Sequence, residues 1–262
     1  MIAIPLLLAV PVIMWLVQTG LLIKHGLHVR FRIDAGDSPP IVRSAGRIVT
    51  QISLASLAIV YPYCIGRSPI AYYAELLPFD AALRDAVRGC AATTLFLCLL
   101  YLAWLLNDRL RVPDALDVRR TARRIALVPL SAAFGATVEE MVFRGVVMAD
   151  LQRSGLFGMP AVVAISAIVF AAAHYVRSPK RYWTVAGHLV LGCFLSIAFA
   201  VTGNLWLAIG LHAGGILMIM GARPVLKTRG PSWLTGASIY PYAGVVGAVG
   251  LTILTVLIAR RQ

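Results

Sequence analysis

The chain has 262 residues, 60% hydrophobic and 13% charged, with a mean hydropathy of +0.83. A soluble domain is about 45–50% apolar and about 25% charged, so this composition excludes an ordinary soluble enzyme and indicates a multi-spanning membrane protein. The net charge of +13 does not indicate a nucleic-acid partner. The basic residues flank apolar runs, where they set topology and meet anionic lipid, instead of forming one soluble basic face.

The length allows roughly eight spans of about 20 residues each. The first is expected from Ile2 to Ile23, with Pro5 and Pro11 tolerated as they are in bilayer helices. It has no charged segment before it and no small-residue cleavage site after it, so it reads as a retained span, not a signal peptide. A basic loop with Lys24, Arg30, Arg32, Arg43 and Arg47 follows, with turn formers at 34–40. The second span is expected from Ile48 to Ile65. An interfacial segment from Gly66 to Gly89 should place Tyr72 and Tyr73 near the headgroups.

The third span, Cys90 to Leu106, leads into a loop rich in arginine (Arg109, Arg111, Arg119, Arg120, Arg123, Arg124). The fourth runs from Ile125 to Val147, the fifth from Pro160 to Val176, the sixth from Trp183 to Val201, the seventh from Leu205 to Met220 and the eighth from Ile239 to Ala259. The loops after spans 1, 3, 5 and 7 hold 17 Lys and Arg residues, the other side 6. The positive-inside rule then places the basic loops in the cytoplasm and both termini outside, in the plasma (inner) membrane if the source is bacterial. Cys64, Cys90, Cys98 and Cys193 are scattered and imply neither a disulfide framework nor a zinc knuckle. The C-terminus carries no lipidation motif. No repeat or boundary divides the chain, which is expected to be one all-α membrane domain: a bundle of about eight transmembrane helices around a polar intramembrane cavity.

Three spans carry polar residues that do not belong in hydrocarbon. Glu139, Glu140 and Arg144 lie in the fourth, and each costs about 2.5–3.5 kcal/mol at a span centre unless paired or wet. Glu140 and Arg144 are four apart and share a helix face, whereas Glu139 is rotated away by about 100°. The arginine can hold one carboxylate, which leaves the other for general-base work, or the three form a buried ion-pair cluster that fixes helix packing or a transport path. Phe170 and His174 share a face of the fifth span, and His212 lies within the seventh, followed by Gly214 and Gly215, which allow close approach of a neighbour. His188 has no motif around it and reads as a structural or cavity-lining histidine. A carboxylate base with imidazole partners is what water-dependent amide hydrolysis requires.

The order Glu139-Glu140-x-x-x-Arg144, Phe170-x-x-x-His174, His212 resembles the CPBP family of CAAX proteases and bacteriocin-processing enzymes, also called the Abi family. The resemblance covers Thr137 to Gly215, within an expected catalytic core at 125–221. It implies an intramembrane glutamate endopeptidase acting on a peptide or membrane-protein substrate, lipidated or not. In it Glu139 activates water, His174 assists and stabilises charge, and His212 helps form the oxyanion hole. Glu140, Arg144 and Phe170 would support them. The family often has Asn or Asp four residues after the last histidine; here that position is Ile216, and Asn204, eight residues before His212, lies on another part of the span or in the turn. No cofactor is expected. The alternative is a zinc protease with Glu139, His174 and His212 as ligands, a credible ligand set for catalytic zinc. A non-catalytic membrane scaffold or immunity protein on the same fold is the remaining reading. A proton-relaying transporter would favour paired broken helices or an internal repeat, neither of which is visible.

Overall fold

The computed structural model describes residues 1–29, 39–113, 116–176, 184–237 and 240–260. Outside these lie Arg30, Arg32, most of the expected turn, Arg177, Lys180, Arg181, Trp183, Ile239 and Arg261. The described chain is helical: α1 Ala3–Lys24, α2 Pro40–Cys64, α3 Pro69–Leu76, α4 Phe79–Leu106, α5 Val118–Glu140, a π-helical stretch Met141–Met148, α6 Ala149–Arg153, α7 Met159–Val176, α8 Val185–Thr202, α9 Trp206–Ala222, α10 Ser232–Thr235, a 3₁₀ turn Pro241–Ala243 and α11 Val245–Ala259. The strands among the described residues are two-residue pieces, β1 Leu110–Arg111 and β2 Lys227–Thr228, paired antiparallel.

Five helical stretches are long and apolar enough to cross a membrane: α1, α2, α4, the run from Thr121 to Arg153, and α8. Shorter apolar helices lie at α7, α9 and α11. Their outward faces are apolar, with Leu95 and Leu99 on α4, Leu130 and Phe134 on α5, and Ile253 and Leu257 on α11 all exposed. Glu140, Arg144 and His212 are buried instead. Apolar residues outward and ionisable residues inward is the arrangement of a helical membrane protein.

Several boundaries differ from the sequence-based expectation. Arg43 and Arg47 belong to α2, and Arg84, Asp85 and Arg88 belong to α4, because each helix begins well before its apolar run does. Proline starts both: Pro40 opens α2 and Pro78 caps α4, with Asp80 in its first turn. Tyr72 and Tyr73 are buried, not at a headgroup surface, and their hydroxyls donate to the carbonyls of Gly145 and Ala58. The last helix starts at Val245, so Tyr240 and Tyr242 lie in the chain leading to it.

Two ends of the bundle are tied across long sequence separations. At one end β1, after α4, pairs with β2, after α9, so these two basic connections lie on the same side. At the other, Leu205 N–H donates to Leu76 O, and Trp206 Nε1 donates to Pro78 O. Asp150 closes the start of α1: its Oδ2 accepts from the backbone N–H of Ile2 and Ala3 at 2.8 and 3.0 Å, and its Oδ1 accepts from the Tyr61 hydroxyl at 3.1 Å. A carboxylate at a helix N-terminus satisfies orphan donors and complements the dipole. Asp150→Ala is expected to lower stability by about 1–2 kcal/mol, read as a lower thermal midpoint in detergent.

α4 and α9 pack backbone to backbone. A Cβ on Gly210 would stand 2.2 Å from Ala86 O, and one on Gly214 2.7 Å from Cys90 O. Gly215, by contrast, would only touch Thr93 at 3.6 Å, so the small-residue pair that matters is Gly210 and Gly214. Thr93 Oγ1 adds a bond to Leu211 O at 2.8 Å, which fixes the register of the helix that carries His212.

Candidate active site

The long helix changes its winding where the chemistry lies. α5 ends at Glu140 and the π-helical stretch begins at Met141. A π turn misaligns backbone carbonyls and persists only where other groups satisfy them. Here Gly145 O accepts from Tyr72, and Phe143 O accepts from Ser166 Oγ at 3.4 Å. The pairing four residues apart survives in this geometry: Arg144 Nη1 donates to Glu140 Oε1 at 3.1 Å, with both side chains fully buried. Arg144 Nη2 donates to Gly192 O at 2.9 Å, and the guanidinium lies 4.8 Å from the centre of the Phe170 ring.

His212 joins this pair. Its Nδ1 stands 2.7 Å from Glu140 Oε1, the oxygen that Arg144 also contacts. Glu140 is therefore not only the arginine's partner; it orients the histidine of α9. A carboxylate accepts, so Nδ1 carries the hydrogen and Nε2 faces the other way. That Nε2 lies 3.7 Å from Glu139 Oε2.

His174 approaches the same oxygen from α7, with its Nε2 3.6 Å from Glu139 Oε2. Its Nδ1 is 2.9 Å from Phe170 O. A carbonyl only accepts, so neutral His174 holds its hydrogen on Nδ1 and presents a lone pair at Nε2. Phe170 is the hub of the cluster: its ring centre is 4.4 Å from that of His174, 5.0 Å from Phe143 and 6.1 Å from His212. Glu139 Oε2 makes no hydrogen bond among the described residues. The three motifs thus meet at one carboxylate oxygen.

This oxygen sits at a cavity of about 580 Å3 between α1, α2, α7 and the Glu139 turn. Glu139 and His174 line it, together with Phe143, Tyr240, and Arg47 and Gln51 of α2. His212 does not line it; only 8% exposed, it reaches Glu139 from behind. Arg47, Gln51 and Leu54 repeat at helical spacing along α2, and Arg47 and Gln51 add polar groups to the cavity wall.

Sequence reasoning missed Tyr240 and Tyr242, which lay inside an apolar run assigned to a span. The strap before α11 is pressed on α8, where a Cβ on Gly187 would come within 2.4 Å of Ala243 Cα. Tyr242 donates its hydroxyl hydrogen to His188 Nε2 at 3.2 Å, and His188 Nδ1–H is held by Thr184 O at 2.9 Å. His188 is thereby a hydrogen-bonded ring, tilted over His174 at 5.0 Å and meeting Tyr240 edge-on at 5.0 Å. Asn204 is occupied elsewhere: it donates to Asp85 at 3.2 Å and accepts from Trp206 N–H at 2.9 Å. It is not an oxyanion donor for His212, so it does not make up for Ile216.

Among the described residues no group of three His, Cys, Asp or Glu side chains is gathered as a metal site. Tetrahedral zinc with nitrogen and oxygen bonds of about 2.0–2.2 Å holds its ligand atoms about 3.3–3.6 Å apart. The two Nε2–Oε2 separations, 3.6 and 3.7 Å, stand at and just beyond the wide edge of that range.

No curated protein and no solved structure matches the chain. Residues 121–218 match the family model described as type II CAAX prenyl endopeptidase Rce1-like. That segment runs from the start of the Glu139 helix through His212 and includes Glu140, Arg144, Phe170 and His174. Over residues 121–218 the chain is similar to the Rce1-like family, the CAAX-protease family that its motifs resemble.

Proposed function

We propose that the protein is an intramembrane endopeptidase in which Glu139 activates a water molecule against a peptide carbonyl of a membrane-associated, lipidated or peptide substrate. The observation that carries this reading is the convergence of two histidine Nε2 atoms, at 3.6 and 3.7 Å, on one carboxylate oxygen beside a cavity. A water between Glu139 Oε2 and His174 Nε2 gives a hydrogen to each and turns its own lone pair to the cavity. Attack forms the C–O bond and moves the carbonyl π pair onto oxygen, while Glu139 takes a water proton. The C–N bond then breaks, and Glu139 returns that proton to the departing amine. His174 is thus a proton acceptor beside the base, because its Nδ1 is already committed to Phe170 O. His212 in its doubly protonated form donates from Nε2, held in register by Glu140.

Ile216 leaves the oxyanion one donor short, and Tyr240, which lines the cavity and packs against His188, is the residue we propose to supply it. Tyr240→Phe is expected to lower kcat about 10²-fold with little change in KM, the size of effect typical of losing one oxyanion donor. An unchanged kcat removes Tyr240 from the mechanism.

The deciding experiment compares protein and peptide termini in cells carrying wild-type protein or Glu139→Ala. New termini that depend on Glu139 are expected. Identical termini would leave a scaffold or immunity role on this fold. The three converging atoms also favour a second reading, zinc held by Glu139, His174 and His212. Activity of purified protein in excess chelator separates the two: retained activity supports the metal-free reaction, and loss restored by zinc supports the metal.

The topology we propose places the basic loops in the cytoplasm and both termini outside, on the charge asymmetry and on the pairing of β1 with β2 on one side. A C-terminal reporter active only outside the cytoplasm tests it.

A further inference from the structure

A second cavity lies away from the candidate active site, about 1040 Å3 between α4 and α11 with α9 as its floor. Its polar groups are confined to one end, where Arg84, Asp85 and Arg88 of α4 meet Thr202 and Asn204. From there it is apolar, passing Leu95 and Leu99 on one wall and Ile253 and Leu257 on the other. These four leucine and isoleucine side chains are all exposed, so the groove opens toward the bilayer.

Its dimensions match half a bilayer. Arg88 and Leu99 both line it, and eleven residues of helix between them rise about 16 Å. One leaflet of a hydrocarbon core about 30 Å thick is about 15 Å deep. The groove therefore runs from a cationic rim to the membrane midplane. At the rim, Arg84 Nε donates to Asp85 Oδ1 at 2.9 Å, and Asn204 holds the other carboxylate oxygen at 3.2 Å. Asp85 offsets one arginine, and the exposed Arg88 stands beside this pair. The rim keeps a net positive charge, with guanidinium donors suited to a phosphodiester.

We infer that this groove is a binding site for an anionic glycerophospholipid, with its phosphate at Arg84 and Arg88 and one acyl chain along α4 and α11. The site is separate from the basic loops, whose charges lie at the other end of the helices. It also abuts the α9 turn that carries His212, since Leu207 and Leu211 form part of its floor.

The test uses purified full-length protein in mixed phosphatidylcholine and phosphatidylglycerol nanodiscs, with retained lipids counted by native mass spectrometry. Wild-type protein should retain phosphatidylglycerol about five- to tenfold over its bulk proportion. Arg84→Gln/Arg88→Gln should bring that ratio to the bulk value. Leu257→Trp, which leaves the rim charges intact and fills the groove, should lower retention of both lipids. No enrichment in wild-type protein overturns the site, and so does enrichment unchanged in both variants.

Discussion

Glu139→Gln is expected to lower kcat by about 10²–10⁴-fold, with KM little changed, on a fluorogenic farnesylated CAAX peptide in detergent. The amide has the size of the carboxylate and can still hydrogen-bond, but it cannot take a proton from water. Glu139 is the member of the pair that the fold leaves for this work: its side chain is 19% exposed at the cavity, whereas Glu140 is fully buried between Arg144 and His212. Folding should be little disturbed, because Glu139 Oε2 has no hydrogen bond to lose among the described residues. Helix content and thermal midpoint should therefore match wild type while turnover disappears. Glu139→Asp, a carboxylate withdrawn by one methylene, should keep a small residual rate. Full activity in the Gln variant would remove Glu139 as the base. Loss of activity together with a collapsed thermal midpoint would instead mark it as a structural residue.

Those features that depend on one helix were legible in the sequence, and those that depend on how helices cross were not. Glu140 and Arg144 follow from a spacing of four, and the membrane class follows from composition and the apolar runs. The bond from His212 to Glu140 could not be read the same way. It requires α9 to pack against the end of α5 while Gly210 and Gly214 seat it on α4, and no periodicity specifies which helices touch. The π-helical winding after Glu140 is equally hidden, since the groups that satisfy it, Tyr72 and Ser166, come from distant segments. Tyr240 and Tyr242 were masked by hydropathy. The run reads as continuous, although Pro241 and Gly244 mark a turn, not a span.

The buried pair behind the Glu139 carboxylate separates stability from activity in a way that single substitutions do not. Arg144→Met removes the fully buried guanidinium that contacts Glu140 Oε1, Gly192 O and the face of Phe170. It leaves Glu140 charged and buried with His212 as its remaining hydrogen-bond partner among the described residues. Breaking one side of a buried ion pair destabilises by about 3–5 kcal/mol, so this variant should express poorly and lose its cooperative thermal transition. Glu140→Gln/Arg144→Met removes both charges. Replacing a buried pair by uncharged groups of similar size is often neutral, so the double variant should recover most of the lost stability. It should not recover activity, because an amide no longer holds the Nδ1–H of His212 as a carboxylate does, and His212 Nε2 loses its aim at Glu139. A stable and inactive double variant therefore identifies Glu140 as a positioning residue acting through His212. A stable and active one would reduce the pair to helix packing and leave Glu139 and His174 to carry the chemistry without it.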